Sequence, residues 1–494
     1  MVPGRPFCLW GPYGFVGSVM AVKASSGRLG NGRAGALWAS LREAMAGGPR
    51  DFTTGSLPRA VLLLAVPMIL EMAMESVFGV VDALFVGRLG PDAVATVGVT
   101  ESLLTVIFAV AIGLSMSTSA MVARRVGEGD DDAAAVAAVQ SIALGVLVSV
   151  PVAAAGFFSA DRLLVLMGAP PAVAAIGHRY TAVMLGGSAT IFLLFLINAI
   201  FRGAGDPTLA MRSLWLANAV NIVLNPCLIF GLGPFPELGA VGSAVGTTIG
   251  RGVGVGYQLY CLRTAAGRLT VQRRHLRLDP AVMLRLLRVS LGGIAQFLIA
   301  TGSWLGLVRL MTPFGSAALA GYTIAVRIIV VAILPAWGMS NAAATLVGQN
   351  LGAGKPDRAE RAVWLTGLCN MVFLLGVAAM FVVFADPLVG AFTRDPAARA
   401  LGASCLRIVS YGYGFYAWGM VMVQAFNGAG DTTTPTVVNF CCYWLFQVPL
   451  AWSLAHGLGM GAHGVFLAIT VAESVLAVTG VLCFRRGRWK TRTV

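Results

Sequence analysis

Twelve apolar blocks of 20–30 residues, separated by short polar or Pro/Gly-rich breaks, constrain this chain more than any other feature. Only helices and closed barrels satisfy their backbone groups in lipid, and blocks of this length suit helices crossing about 30 Å of hydrocarbon. The blocks fall at about 58–86, 93–123, 133–158, 172–200, 208–232, 239–262, 281–312, 316–348, 359–385, 400–427, 434–457 and 463–484. With 57% hydrophobic and 11% charged residues, the 494-residue chain reads as an all-α, multi-pass membrane protein. Its net charge of +14 gathers in the N-terminal tail, at Arg124–Arg125, around Arg263–Arg277, at Lys355–Arg361 and at Arg485–Arg492. An even number of spans places all of these on one side. The positive-inside rule makes that side cytoplasmic, together with both termini, in an inner (plasma) membrane. Basic residues spread in this way set topology and do not suggest a nucleic-acid partner. The eight cysteines are scattered, with no CxxC pair and no cysteine–histidine ligand spacing, so no disulfide framework or zinc site is indicated.

Residues 1–56 are rich in Gly, Arg and Ala, and the apolar run Phe7–Val22 is broken by glycines and a proline. They read as a disordered basic cytoplasmic tail, or as an upstream mis-start with Met45 the true beginning; an arginine-rich transit peptide is a third reading. Residues 57–262 then form an N-lobe, 263–280 a cytoplasmic linker, 281–484 a C-lobe and 485–494 a second basic tail.

The two lobes are copies of one unit. Val126-Gly127-Glu128-Gly129 falls on Leu351-Gly352-Ala353-Gly354, and Gly203-Ala204-Gly205-Asp206 falls on Gly428-Ala429-Gly430-Asp431, both 225 residues apart. Leu89-Gly90 meets Phe314-Gly315 and Ala160-Asp161 meets Ala385-Asp386 at the same offset. Six helices per copy is an even number, so both copies enter the membrane the same way round. Parallel repeats of this kind surround a central cavity and rock about it, as in secondary transporters. No GxxxxGK[ST] loop suggests a nucleotide-driven pump.

The first span carries Glu71, Glu75 and Asp82. At about 100° per residue, Glu75 lies about 40° round from Glu71 and Asp82 about 20°, so all three acids share one stripe. Pro67 lies one turn earlier and can loosen the helix there. Acids inside a membrane face a bundle interior or wet cavity, where they bind cations or protons. Alternatively, structural arginines such as Arg251 or Arg327 neutralise some of them. Asn218, Asn221 and Asn225 recur on one face of the fifth span, either lining a polar cavity or gluing helices together. Tyr411, Tyr413, Phe415, Tyr416 and Trp418 crowd the tenth span. Tyr416 and Trp418 are candidate contacts for a flat cation through their π faces, set against ordinary packing. Glu101 and Glu473 are open either way, and Arg327 reads as a structural charge.

These residues resemble the MATE (multidrug and toxic compound extrusion) family. The resemblance rests on VDALFVGRLG (Val81–Gly90), NIVLNP (Asn221–Pro226), FRGAGDP (Phe201–Pro207), FNGAGDTTTP (Phe426–Pro435) and the run Ala320–Lys355, and covers nearly all of 57–484. It implies a V-shaped, two-lobed monomeric exporter that uses Na⁺ or H⁺ to expel cationic or amphipathic small molecules, with no cofactor. In the branch resembling DNA-damage-inducible protein F, which this chain resembles most, Asp82 matches the cation- or proton-binding aspartate of the first helix. Asn221, Asn225 and Thr247 take the helix 5 and helix 6 places. Asn225 stands where that branch has an aspartate; an amide offers a carbonyl but neither charge nor a proton site. The norfloxacin-efflux branch has acids in helices 7 and 10, where this chain has about Ala300 and Tyr416. The resemblance therefore puts coupling in the N-lobe, with no acidic site expected in the C-lobe. A lipid-linked glycan flippase is the alternative, but would call for a more cationic cavity. An integral-membrane enzyme would need clustered catalytic groups, and His178, His275, His456 and His463 form none.

Overall fold

The computed structural model describes residues 33–48, 50–264 and 266–492. Twelve membrane segments follow in order. The N-lobe holds α1 (Leu57–Gly87), α2 (Pro91–Gly127), α3 (Asp131–Phe158), α4 (Pro171–Gly186 and Ser188–Ala204), α5 (Pro207–Phe230) and α6 (Ala240–Arg263). The C-lobe holds α7 (Pro280–Met311), α8 (Ser316–Gly352), α9 (Pro356–Gly390), α10 (Pro396–Ser410 and Tyr413–Gly428), α11 (Thr433–Gly457) and α12 (Ala462–Arg485). Among the described residues, ten segments are long and apolar enough to cross a membrane. The other two are α6, diluted by glycines and carrying Arg251, and α10, broken at Tyr411 and Gly412.

Local chemistry sets the ends of these helices. Pro91, Pro207, Pro280 and Pro356 open helices at a position whose N–H has no partner to lose. Asp130 and Asp279 cap α3 and α7 by accepting from the first-turn amides of Ala133 and Ala281. The duplication is written into the backbone. Gly90 and Gly315 (φ 100° and 94°), Gly129 and Gly354 (78° and 67°), and Gly205 and Gly430 (85° and 81°) pair across the repeat. Only glycine adopts such angles without strain, so both copies turn at the same places.

One apolar core runs through α2–α6, with Val86 of α1 and Leu286 of α7 joining it, and another lies within α7–α12. A third joins α1 to α8, so the first helix of one lobe packs against the second helix of the other. Ser117 of α2 and Ser290 of α7 meet at 2.7 Å across the same boundary. The lobes close at the end where α2 and α8 finish. There Gln349 Nε2 donates to the Gly203 carbonyl at 2.9 Å, and Thr345 Oγ1 to the Arg202 carbonyl at 3.2 Å.

Residues 33–48 and 50–56, expected from composition to belong to a disordered tail, are ordered; residues 1–32 lie outside the described chain. A helix (Arg33–Ala46) leads into a strap whose Phe52 is buried. Arg358 of the C-lobe donates to the Thr54 and Gly55 carbonyls at 2.6 and 2.9 Å, and Lys355 to Thr53 at 2.9 Å. From the N-lobe, Thr208 donates to Ala44 at 3.0 Å and Arg212 to Ala46 at 2.9 Å. The order comes from these long-range partners, which composition does not display.

Candidate functional site

The central cavity lies between the lobes, encloses about 220 Å³, and is walled by α1, α2, α4, α8 and α10 among others. Glu71 and Glu75 line it; Asp82 does not. The three-acid stripe is thus split along the length of α1.

Glu71 is buried, and its Oε1 accepts from Arg202 at 2.7 Å and from Asn198 at 3.1 Å. Gln258 of α6 donates to Asn198 Oδ1 at 2.6 Å, which holds the amide in the orientation that serves Glu71. Arg251 lies near enough to Glu75 to act on it electrostatically, without an ion pair between them among the described residues, and its guanidinium sits 6.0 Å from the Phe108 ring. Glu71 is thus ion-paired, and Glu75 has an arginine nearby. Of the arginines expected as neutralisers, Arg251 serves; Arg327 is exposed and faces Glu101. Arg202 went unanticipated, although it stands inside FRGAGDP and is the one charge at the end of that span.

Asp82 lies about three turns beyond Glu71, between α1, α5 and α6. Its Oδ1 accepts from Asn225 Nδ2 at 2.8 Å and from Ser243 Oγ at 3.0 Å. Asn225 is fully buried and its Oδ1 has no hydrogen-bond partner. Gly246 makes this fit possible, since a Cβ there would lie 2.3 Å from that oxygen. Asn221 Nδ2 donates to Thr247 Oγ1 at 2.8 Å, forming a second buried pair beside the first. The four residues singled out from sequence are thus two pairs, and Ser243 completes the first. Ser243 was detectable, one turn before Thr247 on the same face of α6. Among the described residues, no group of three His, Cys, Asp or Glu is arranged to hold a metal.

A smaller chamber of about 150 Å³ lies in the C-lobe and shares Met116, Trp337 and Gln424 with the central cavity. Ala300 and Tyr416 line it, and so does Glu473. The C-lobe therefore has a buried acid, supplied by α12 and not by α7 or α10. Trp418 lines neither cavity. It packs against Trp364 at 5.5 Å, lies over Gly367, and donates to Met371 Sδ at 3.2 Å. On α10 it is two residues from Tyr416, about 200° round the helix, so the two cannot share a face.

The sequence profile of the family described as MatE matches residues 67–227 and 294–453, one stretch in each lobe. A probable multidrug resistance protein NorM of Thermotoga maritima is 27% identical over 439 residues, covering 88% of this chain and 94% of the relative. An FAD transporter of Shewanella oneidensis is 25% identical over 432 residues, covering 86% and 93%. The outward-facing structure of a multidrug resistance MATE family transporter superposes with a TM-score of 0.83 at 26% identity, covering 88% of this chain and 97% of that one. Two matched repeats on one two-lobed helical architecture leave a single assignment: the chain belongs to the MATE family of membrane transporters.

Proposed function

We propose that the protein exports cationic or amphipathic small molecules by antiport against Na⁺ or H⁺, with Asp82 as the coupling group. The observation that carries this is the Asp82 carboxylate held by two neutral donors, Asn225 and Ser243, beside an unpartnered amide oxygen. An acid with neutral partners is free to exchange a proton or cation; one locked to an arginine, as Glu71 is, is not. The relative named as a multidrug resistance protein supports the substrate class. Lobes sealed at the end that carries the basic loops and both described chain ends support an outward-open state, with cytoplasmic termini in the inner membrane. The flippase reading asks for surplus positive charge. Arg202 and Arg251 do reach the central cavity, but Glu71 and Glu75 balance them.

Ethidium uptake into energised inverted vesicles, whose cytoplasmic face points outwards, tests the reading, with Na⁺ and pH gradients imposed separately. Wild type should transport under one gradient, which names the ion, and Asp82→Asn should lose transport at normal protein level. A wild type that moves no dye under either gradient contradicts export of cations; an unimpaired Asp82→Asn contradicts the coupling site.

A further inference from the structure

We propose that Glu473 is the charge-selecting residue of a second binding pocket, the C-lobe chamber, which takes part of a bulky aromatic organic cation. The inference rests on the export reading and assigns the substrate a place within it.

Three observations carry it. First, Glu473 is 8% exposed and lines the chamber, yet among the described residues its one hydrogen-bond partner is the Tyr443 hydroxyl, which lies 3.2 and 3.5 Å from its two oxygens. No arginine, lysine or histidine lines the chamber, and no ion pair involves Glu473 among the described residues. The titratable groups facing it are Tyr416 of α10 with Tyr443 and Cys442 of α11; α7 offers only the neutral Gln296. A buried carboxylate without a counter-ion is costly, and a bound cation removes that cost. The central cavity differs here, because Glu71 is ion-paired to Arg202 and Arg251 lies near Glu75.

Second, Asn439 is 6% exposed, lines the same chamber, and its Oδ1 accepts no hydrogen bond. An acceptor without a donor, in the same pocket as an acid without a counter-ion, describes a place for something positively charged. Third, the rest of the wall is soft. Phe297, Trp337 and Tyr416 offer ring faces, and Met116 and Met420 offer polarisable sulfur. A small hard ion asks for several oxygen ligands; an aromatic or tetra-aryl cation asks for one charge and broad apolar contact. Met116, Trp337 and Gln424 line both cavities, so the chamber adjoins the central cavity. The π-helical stretch Phe440–Gln447 includes Tyr443, and such turns recur at functional sites.

The test measures binding, not transport. Equilibrium dialysis of tetraphenylphosphonium against the purified full chain in nanodiscs should give affinity at least about tenfold weaker for Glu473→Gln, with Glu473→Asp within about threefold of wild type. A Glu473→Gln affinity within twofold of wild type overturns the proposal. Should the variants fail to fold, wild type decides. Dicyclohexylcarbodiimide should label Glu473, read by peptide mass spectrometry, and saturating tetraphenylphosphonium should protect it. An unlabelled Glu473, or labelling that the cation does not change, overturns the proposal equally. Failure of the export reading is distinguishable, because it appears as a wild type that moves no ethidium under any gradient.

Discussion

A carboxylate inside a membrane bundle survives by finding either a counter-ion or a set of neutral donors, and α1 uses both solutions. Glu71 takes the first, with Arg202 at 2.7 Å and a side chain 2% exposed. Breaking a buried pair leaves one charge unmatched, so Glu71→Gln should lower stability by about 3 kcal/mol. Thermal unfolding of the purified protein should show the drop, and removing both charges in Glu71→Gln/Arg202→Met should recover part of it. An unchanged melting temperature in the single variant contradicts a structural role for the pair. Asp82 takes the second solution. Its nearness to Asn225 was legible only through the family resemblance carried by VDALFVGRLG and NIVLNP. The Glu71–Arg202 pairing was not. Spacing within a helix fixes which residues share a face, but not which neighbouring helix that face meets.

At the scale of elements, the lobes approach through glycine. A Cβ on Gly127 would lie 2.0 Å from the Gln349 carbonyl oxygen, and one on Gly352 would lie 2.2 Å from that of Arg124. These two glycines are the repeat mates 225 residues apart, and they touch, so the pseudo-two-fold axis passes between the ends of α2 and α8. Gly127→Ala should therefore wedge this end apart and favour the state open there. Spin labels on the two lobes at the closed end should report longer distances in Gly127→Ala than in wild type. Identical distance distributions contradict the glycine seal. The repeat itself was readable from sequence, since matching glycines mark matching turns. The π-helical turns of α11 were not, because FCCYWLFQ contains neither proline nor glycine and reads as an ordinary apolar span.

At the scale of the molecule, the proposed export calls for two states, and the strap bears on the one that is sealed here. The strap from Arg50 to Ser56 ties the C-lobe, through Arg358 and Lys355, to the inter-lobe linker, through Arg268, which donates to the Arg50 carbonyl at 3.3 Å. Residues that compose a tail on paper thus belong to the seal. An ion changes the balance of such states only if it binds one better than the other. Asp82 lies between three helices of the N-lobe, where a rearrangement of α1 against α5 and α6 changes its donors. The most direct measurement is pulsed electron–electron resonance across the closed end in nanodiscs, as Na⁺ and pH are varied separately. The account predicts that one of the two ions shifts the wild-type distance distribution and that Asp82→Asn leaves it fixed in one state. A distribution that shifts equally in wild type and Asp82→Asn contradicts coupling through Asp82.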